Sequence, residues 1–128
     1  MKRLVVVIDD DPEDLALMKE AIATVDASVN YVGYSDPVDA IQTLLEEKTN
    51  VPQYIFIDLN MPKLMGDTCL KILREADHLQ HVVIAMISTS MTTSDSQALK
   101  NAGASFTYAK PNKMDGYYTI LNSIFSNK

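Results

Sequence analysis

The stretch LVVVIDDDP, residues 4–12, decides the fold. Its first five residues, Leu4 to Ile8, form a continuous apolar and mostly β-branched run, which is typical of a strand buried on both faces. Three aspartates and a proline follow, and Asp11 before Pro12 is a favoured way to begin a helix. The stretch therefore predicts a buried strand that leads directly into a helix.

Three further apolar runs have the same form, and each stops at a residue that can do chemistry. The runs are Tyr54 to Ile57, Val82 to Ile87 and Phe106 to Ala109, and they stop at Asp58, Ser88 and Lys110. Between the runs, apolar residues recur three and four positions apart, as they do in helices. The pattern predicts an α/β fold in which βα is repeated five times, with helices on both faces of a parallel sheet. A chain of 128 residues fits one such domain, 1–128.

The remaining elements are predicted from similar signals. A weaker strand, Asn30 to Tyr34, is expected at an edge of the sheet. Ser35 or Asp36 before Pro37 should begin a second helix that buries Val38, Ile41 and Leu45. The other helices are expected to begin near Gly66 and bury Cys69, Leu70 and Leu73, to run from about Thr93 to Asn101 with Gly103 after the end, and to run from about Met114 to Phe125.

Composition excludes several classes of function. A net charge of -6 argues against nucleic acid as a partner and favours cations or basic protein surfaces. The apolar run at the N-terminus ends at Asp9, which is too short for a signal peptide, and no membrane segment is expected. The single cysteine, Cys69, cannot form an internal disulfide, so we expect a reducing, cytoplasmic setting.

The polar residues at the strand ends should converge, because ligands of open α/β sheets bind in the crevice at the carboxyl ends of the strands. Asp9, Asp10 and Asp58 would then crowd together, and two carboxylates about 4 Å apart repel by about 4 kcal/mol at an effective dielectric constant of 20. Either one of them is protonated or a cation lies among them. Oxygen ligands without nitrogen or sulfur favour Mg²⁺.

Ser88 and Lys110 should point to the same crevice. A hydroxyl, an ammonium group and a metal with open positions can together neutralise an incoming phosphoryl group, and a neighbouring carboxylate can accept it. We predict that Asp58 is this acceptor.

Four motifs, in their order and spacing, make the resemblance to a known family specific. They are Val7 to Pro12, Ile57 to Pro62 with Gly66 following, Ile87 to Ser90, and Lys110-Pro111 seven residues after Gly103. Over its whole length the chain resembles a response-regulator receiver domain, of the stand-alone chemotaxis type without an output domain.

The resemblance implies a flavodoxin-like fold, with five parallel strands in the order 2-1-3-4-5. It also implies that a sensor histidine kinase or a phosphotransfer protein phosphorylates Asp58. Such a protein is not a metabolic enzyme, although it catalyses its own phosphorylation and dephosphorylation. Its signal would leave through the surface of the fourth helix, fifth strand and fifth helix, to a downstream protein target or along a phosphorelay. We expect a monomer or a weak dimer.

The resemblance further implies a set of metal ligands. Asp10 and Asp58 would bind Mg²⁺ directly, and Asp9 would bind it through water. The backbone carbonyl of Asn60 would be the third protein ligand.

Two other residues would hold the phosphoryl group. Ser88 would contact one phosphoryl oxygen and Lys110 another. The family also uses a cis peptide bond after the lysine, which here would join Lys110 to Pro111.

Two positions depart from the family pattern. Met65 precedes Gly66 where receiver domains usually have Asp or Asn. Thr107 occupies the position of the aromatic side chain that swings inward on activation. Its neighbours Phe106 and Tyr108 point to the opposite face of the strand, so neither can replace it without a change of register.

Two other classes of protein remain as alternatives. A haloacid-dehalogenase-type phosphohydrolase also uses an aspartyl nucleophile, Mg²⁺, a hydroxyl and a lysine. Its Asp-x-Asp-x-Thr motif would begin at Asp9, but the threonine is missing and the chain has no room for a substrate-selecting cap. A pseudo-receiver that never accepts phosphate would be favoured if Asp10, Asp58, Ser88 or Lys110 were missing, and all four are present.

Overall fold

The computed structural model describes residues 3–126. Strands and helices alternate along this part of the chain, with one short 3₁₀ turn at Asp77–Leu79. The strands are β1 (Leu4–Ile8), β2 (Asn30–Tyr34), β3 (Tyr54–Asp58), β4 (Val83–Ser88) and β5 (Phe106–Ala109). The helices are α1 (Pro12–Val25), α2 (Pro37–Glu46), α3 (Gly66–Glu75), α4 (Thr93–Asn101) and α5 (Met114–Ser126).

The five strands form one parallel sheet in the order β2-β1-β3-β4-β5. This confirms the predicted α/β fold and strand order, and it confirms β2 as an edge strand. From β1 the chain adds β2 on one side of the sheet, and it then adds β3, β4 and β5 on the other side. The carboxyl ends of β1 and β3 therefore lie at the switch point, where such sheets bind ligands.

The alternation of side chains along the strands divides the core into two layers. Residues such as Val6, Ile55 and Met86 face α2, α3 and α4, whose buried residues include Ile41, Leu70 and Leu99. The alternate residues, among them Val5 and Phe56, face α1 and α5. Because both faces of the sheet are covered, the central strands are apolar at nearly every position.

Side-chain caps fix where the helices next to the crevice begin. Asp11 accepts a hydrogen bond from the backbone N–H of Glu13, and Asp36 accepts one from that of Val38. Both caps precede a proline in the first helical turn, as the sequence predicts.

Some predicted details are wrong. Val38 is 48% exposed, because the buried face of α2 consists of Pro37, Ala40, Ile41 and Leu44 and Val38 lies off that face. The strands β3 and β4 also extend one residue further than predicted, to Asp58 and Ser88. Among residues 3–126, no helix has the length and apolar character needed to cross a membrane.

Candidate functional site

Three aspartates cluster at the carboxyl ends of β1 and β3. Asp9, Asp10 and Asp58 each offer a carboxylate oxygen, and these oxygens lie within 4.8 Å of one another. Asp9 is 3% exposed and Asp58 5% exposed, whereas Asp10 faces solvent. The cluster is therefore buried on the protein side and open on the side of Asp10.

Backbone hydrogen bonds continue the sheet up to this cluster. The N–H of Asp9 donates to the carbonyl of Tyr34 at 3.1 Å, and the N–H of Lys110 donates to the carbonyl of Ser88 at 2.8 Å. The N–H of Leu59, directly after Asp58, donates to Ile87 at 2.9 Å. The candidate residues thus stand on the rigid ends of paired strands.

Lys110 reaches three carboxylates from the end of β5. Its Nζ lies 3.0 Å from Oδ2 of Asp9, 2.7 Å from Oδ2 of Asp14 and 3.5 Å from Oδ1 of Asp58. Burial acts to lower the pKa of Lys110. The hydrogen bonds with Asp14 and Asp9 and the surrounding negative charge outweigh that effect, so the pKa is raised and the side chain stays cationic.

The carboxyl of Asp58 is harder to ionise than an ordinary aspartate. Burial and then the charge of Asp9 raise its pKa to about 6, although Lys110 opposes the change. Burial also raises the pKa of Asp9, against the hydrogen bonds that it accepts from the backbone of Asp11 and from Lys110. One ammonium group thus leaves the three carboxylates with unbalanced negative charge, which is a setting that favours a bound cation.

Ser88 is fully buried, and its hydroxyl is engaged by the loop that follows β4. The Oγ accepts a hydrogen bond from the side-chain amide of Asn60 at 3.0 Å and donates one to the carbonyl of Ser90 at 3.2 Å. In this arrangement it does not bond to Asp58. The sequence did not predict the link from Asn60 to Ser88.

The loop after Asp58 passes close to the end of β3. A Cβ at Gly66 would lie 2.3 Å from the carbonyl oxygen of Asp58, so no larger residue fits there without a backbone shift. The N–H of Gly66 donates to the carbonyl of Leu59 at 2.9 Å. Met65 precedes α3 in an extended conformation and provides no side-chain cap, and its side chain is 44% exposed.

The prediction of a cis peptide bond between Lys110 and Pro111 is wrong, because every peptide bond in residues 3–126 is trans. A trans bond is the lower-energy form even before proline. With this trans bond, Nζ of Lys110 still lies close to the carboxylates of Asp9 and Asp58.

Sequence analysis also missed a partner of Lys110. None of the motifs described above includes Asp14, yet this carboxylate makes the shortest ion pair of Lys110. The available signal was position: Asp14 lies in the first turn of the helix that follows β1, and this turn stands at the carboxyl edge of the sheet, beside the crevice.

A pocket of about 390 Å³ opens beside Asp10. An ion pair of 3.0 Å between Lys63 and Asp36 joins the loop after β3 to the start of α2 at this pocket. The other residues that line it are Ser35, Pro37, Met61 and Pro62. The pocket gives the open side of the aspartate cluster access to solvent and to an approaching molecule.

Comparison with known proteins identifies the family. The sequence profile described as "Response regulator receiver domain" matches residues 5–122. The chain belongs to this family, as its motifs predict. No curated protein matches the chain by sequence.

Solved structures of response regulators share the fold. The phosphorylated cyanobacterial phytochrome response regulator RcpA is 22% identical with a TM-score of 0.86, over 97% of this chain and 91% of that one. The Mn²⁺-bound response regulator Rcp1 is 19% identical with a TM-score of 0.82, over 98% and 93%. Vibrio cholerae CheY4 is 21% identical with a TM-score of 0.83, over 98% of both chains.

Membership of the family defines the general role. Receiver domains are signalling modules of two-component systems rather than metabolic enzymes, and they interact with kinases or phosphotransfer proteins. The family typically uses Mg²⁺, which agrees with the acidic cluster found here.

Proposed function

We propose that this protein is a phosphoacceptor of a two-component phosphorelay, and that Asp58 receives the phosphoryl group. The observation that carries the proposal is the position of Lys110, whose Nζ lies 3.5 Å from Oδ1 of Asp58 beside two further carboxylates. A buried carboxylate, a fixed cation and a metal-binding cluster at one point are the groups that phosphoryl transfer to aspartate needs.

The donor set fits Mg²⁺. All candidate side-chain ligands are carboxylate oxygens, which this hard cation prefers. We propose that Asp10 and Asp58 bind it directly, Asp9 through water, and Asn60 through its backbone carbonyl. When bound, the ion supplies positive charge that offsets the carboxylates and the incoming phosphoryl oxygens. The structurally similar Rcp1 binds Mn²⁺, which supports a divalent cation in this protein.

In the transfer step, an oxygen of ionised Asp58 attacks the phosphorus of a phosphohistidine donor. The new O–P bond forms as the N–P bond breaks, and the imidazole that leaves takes up a proton. Lys110 neutralises charge on a phosphoryl oxygen throughout. The structurally similar RcpA is phosphorylated, which supports phosphorylation of this protein.

Ser88 would act after the transfer. Its hydroxyl now bonds to Asn60 and Ser90, and it would give up these partners to donate to a phosphoryl oxygen. Because Ser88 is the last residue of β4, its movement would displace the segment that leads into α4. The altered surface of α4, β5 and α5 would then select a downstream protein target, or the phosphoryl group would pass on through a relay.

The proposed setting is the cytoplasm, where the phosphodonor kinases and phosphotransfer proteins act. It agrees with a single cysteine, Cys69, that is buried and free. We propose that the chain works as a monomer or weak dimer.

Intact-mass spectrometry tests the proposal. With Mg²⁺ and acetyl phosphate, the wild type should gain one alkali-labile phosphoryl group and Asp58→Asn should gain none. Asp11→Asn is a matched control, because it removes one neighbouring carboxylate and asparagine still caps a helix. Equal labelling of the wild type and Asp58→Asn would refute the proposal. Phosphotransfer profiling against the histidine kinases of the source organism would then name the donor.

A further inference from the structure

The shortest contact of Lys110 is made to a carboxylate outside the proposed metal and acceptor set. Its Nζ lies 2.7 Å from Asp14, 3.0 Å from Asp9 and 3.5 Å from Asp58. An ammonium group has three protons to donate. In the resting protein two of them have carboxylate partners at hydrogen-bond distance, and neither partner is the acceptor.

Asp14 is held firmly in this position. It lies in the first turn of α1, where the helix dipole stabilises a negative charge. The ion pair is well shielded from solvent, with side-chain exposures of 11% for Lys110 and 22% for Asp14. A partly buried, charge-assisted hydrogen bond of this kind is stronger than an exposed ion pair.

We propose that Asp14 is a positioning residue that restrains Lys110, so that a phosphoryl group on Asp58 must compete with Asp14 for the lysine. The inference rests on the proposed function of Asp58. It adds a residue that sets how readily the site accepts a phosphoryl group and how stable the phosphorylated state is.

Two effects of Asp14 act in the same direction. Lys110 must leave or share Asp14 in order to contact a phosphoryl oxygen, so the resting ion pair opposes phosphorylation. In addition, a phosphoryl group brings roughly 1.5 to 2 negative charges into the crevice, and the carboxylate of Asp14 repels them. Neutralising Asp14 should therefore favour the phosphorylated state on both grounds.

The test uses beryllofluoride, a phosphoryl mimic, titrated at saturating Mg²⁺ and followed by backbone amide NMR. Asp14→Asn should bind it roughly tenfold more tightly than the wild type, which corresponds to about 1.4 kcal/mol. Asp14→Ala should change the affinity in the same direction. Both variants should also be phosphorylated faster by acetyl phosphate.

Glu13→Gln is the matched control. Glu13 lies in the same helical turn and is exposed, and the ion pairs of Lys110 within residues 3–126 are those with Asp9, Asp14 and Asp58. Glu13→Gln removes the same charge without changing a contact of Lys110. The affinity of this variant for beryllofluoride should therefore stay within about threefold of the wild-type affinity, as expected for a screened surface charge.

The outcomes separate the two proposals. If the wild type binds beryllofluoride and Asp14→Asn binds it no more tightly than Glu13→Gln does, the inference about Asp14 is wrong and the proposed function stands. A loss of affinity in Asp14→Asn and Asp14→Ala would contradict the inference too, because it would mean that Asp14 presents the lysine to the phosphoryl group. If the wild type does not bind beryllofluoride at all, the proposed function fails and the inference fails with it.

Discussion

The hydroxyl Oγ1 of Thr107 lies 2.6 Å from Oγ of Ser96, and this hydrogen bond ties the middle of β5 to α4. The flanking aromatic residues, Phe106 and Tyr108, pack on the other side of the strand with α1 and α5. At the position where receiver domains usually carry a swinging aromatic side chain, this protein therefore has a short polar contact to the helix that is expected to move.

We predict that this contact, together with the small size of Thr107, leaves the activated state only partly populated when the site is occupied. Thr107 is too small to fill the space that a movement of Ser88 would open beneath α4, and complete switching from 1:99 to 99:1 requires about 5.5 kcal/mol of differential stabilisation. With Mg²⁺ and beryllofluoride, the amide resonances of residues 88–110 should move only part of the way toward an activated state, and a partner should complete the change.

The variant Thr107→Val tests the hydrogen bond itself, because it keeps the shape of threonine and removes the hydroxyl. If the bond stabilises the resting arrangement by about 1 kcal/mol, its loss should raise the activated population about fivefold. Thr107→Ser, which keeps the hydroxyl, should behave more like the wild type. A fully displaced single state in the wild type without a partner would contradict this account.

A second prediction concerns the metal. A ligand that binds only the folded state raises the melting temperature by mass action, so Mg²⁺ should stabilise the wild type. Asp10→Asn should abolish most of this rise, because it removes an exposed carboxylate of the cluster. Asp11→Asn should retain it, since Asp11 serves as the cap of α1. Equal Mg²⁺ effects in the wild type and Asp10→Asn, measured by thermal melting, would mean that the metal binds elsewhere.

A third prediction concerns pH in the presence of EDTA. Burial and the charge of Asp9 raise the pKa of Asp58 to about 6, whereas an aspartate in the unfolded chain has a pKa near 3.9. The folded protein therefore binds more protons than the unfolded one between these values. The contribution of Asp58 to the free energy of unfolding is fully present below about pH 4 and is lost as the pH rises through about 6.

The variant Asp58→Asn lacks this titration. Without metal it should be more stable than the wild type at pH 7, by at most about 2 to 3 kcal/mol, and the difference should shrink toward pH 4. Urea unfolding at several pH values measures it. A difference that does not vary with pH would show that Asp58 titrates as an ordinary aspartate.

The sequence was sufficient for the fold because the signals agree locally. The run Leu4 to Ile8 is apolar at every position, which favours a strand buried on both faces. The acidic caps before Pro12 and Pro37 mark where helices begin. The strand ends then bring Asp9, Asp10, Asp58 and Lys110 together, as expected, whereas the hydroxyl of Ser88 bonds to Asn60 and Ser90. Val38 was misassigned because its apolar character outweighed its place beside the face formed by Pro37, Ala40, Ile41 and Leu44.

The side-chain pairings within the site could not be predicted in the same way. Lys110 has several carboxylates within reach, and the choice of Asp14 and Asp9 over Asp58 depends on differences of less than 1 Å. A hydroxyl can both donate and accept, so Ser88 and Thr107 bond to whichever group the fold brings near, here Asn60 and Ser96. Motif spacing carries no information at that scale.

The most direct test of the central claim is to locate the phosphoryl group on the chain. The protein would be phosphorylated with acetyl phosphate and Mg²⁺, the acyl phosphate reduced with borohydride to homoserine, and the digest sequenced by tandem mass spectrometry. We predict homoserine at position 58 and unmodified aspartate at positions 9, 10 and 14. Homoserine at position 9 instead would contradict the account, because it would make the acid after β1 the nucleophile, as in a haloacid-dehalogenase-type phosphohydrolase.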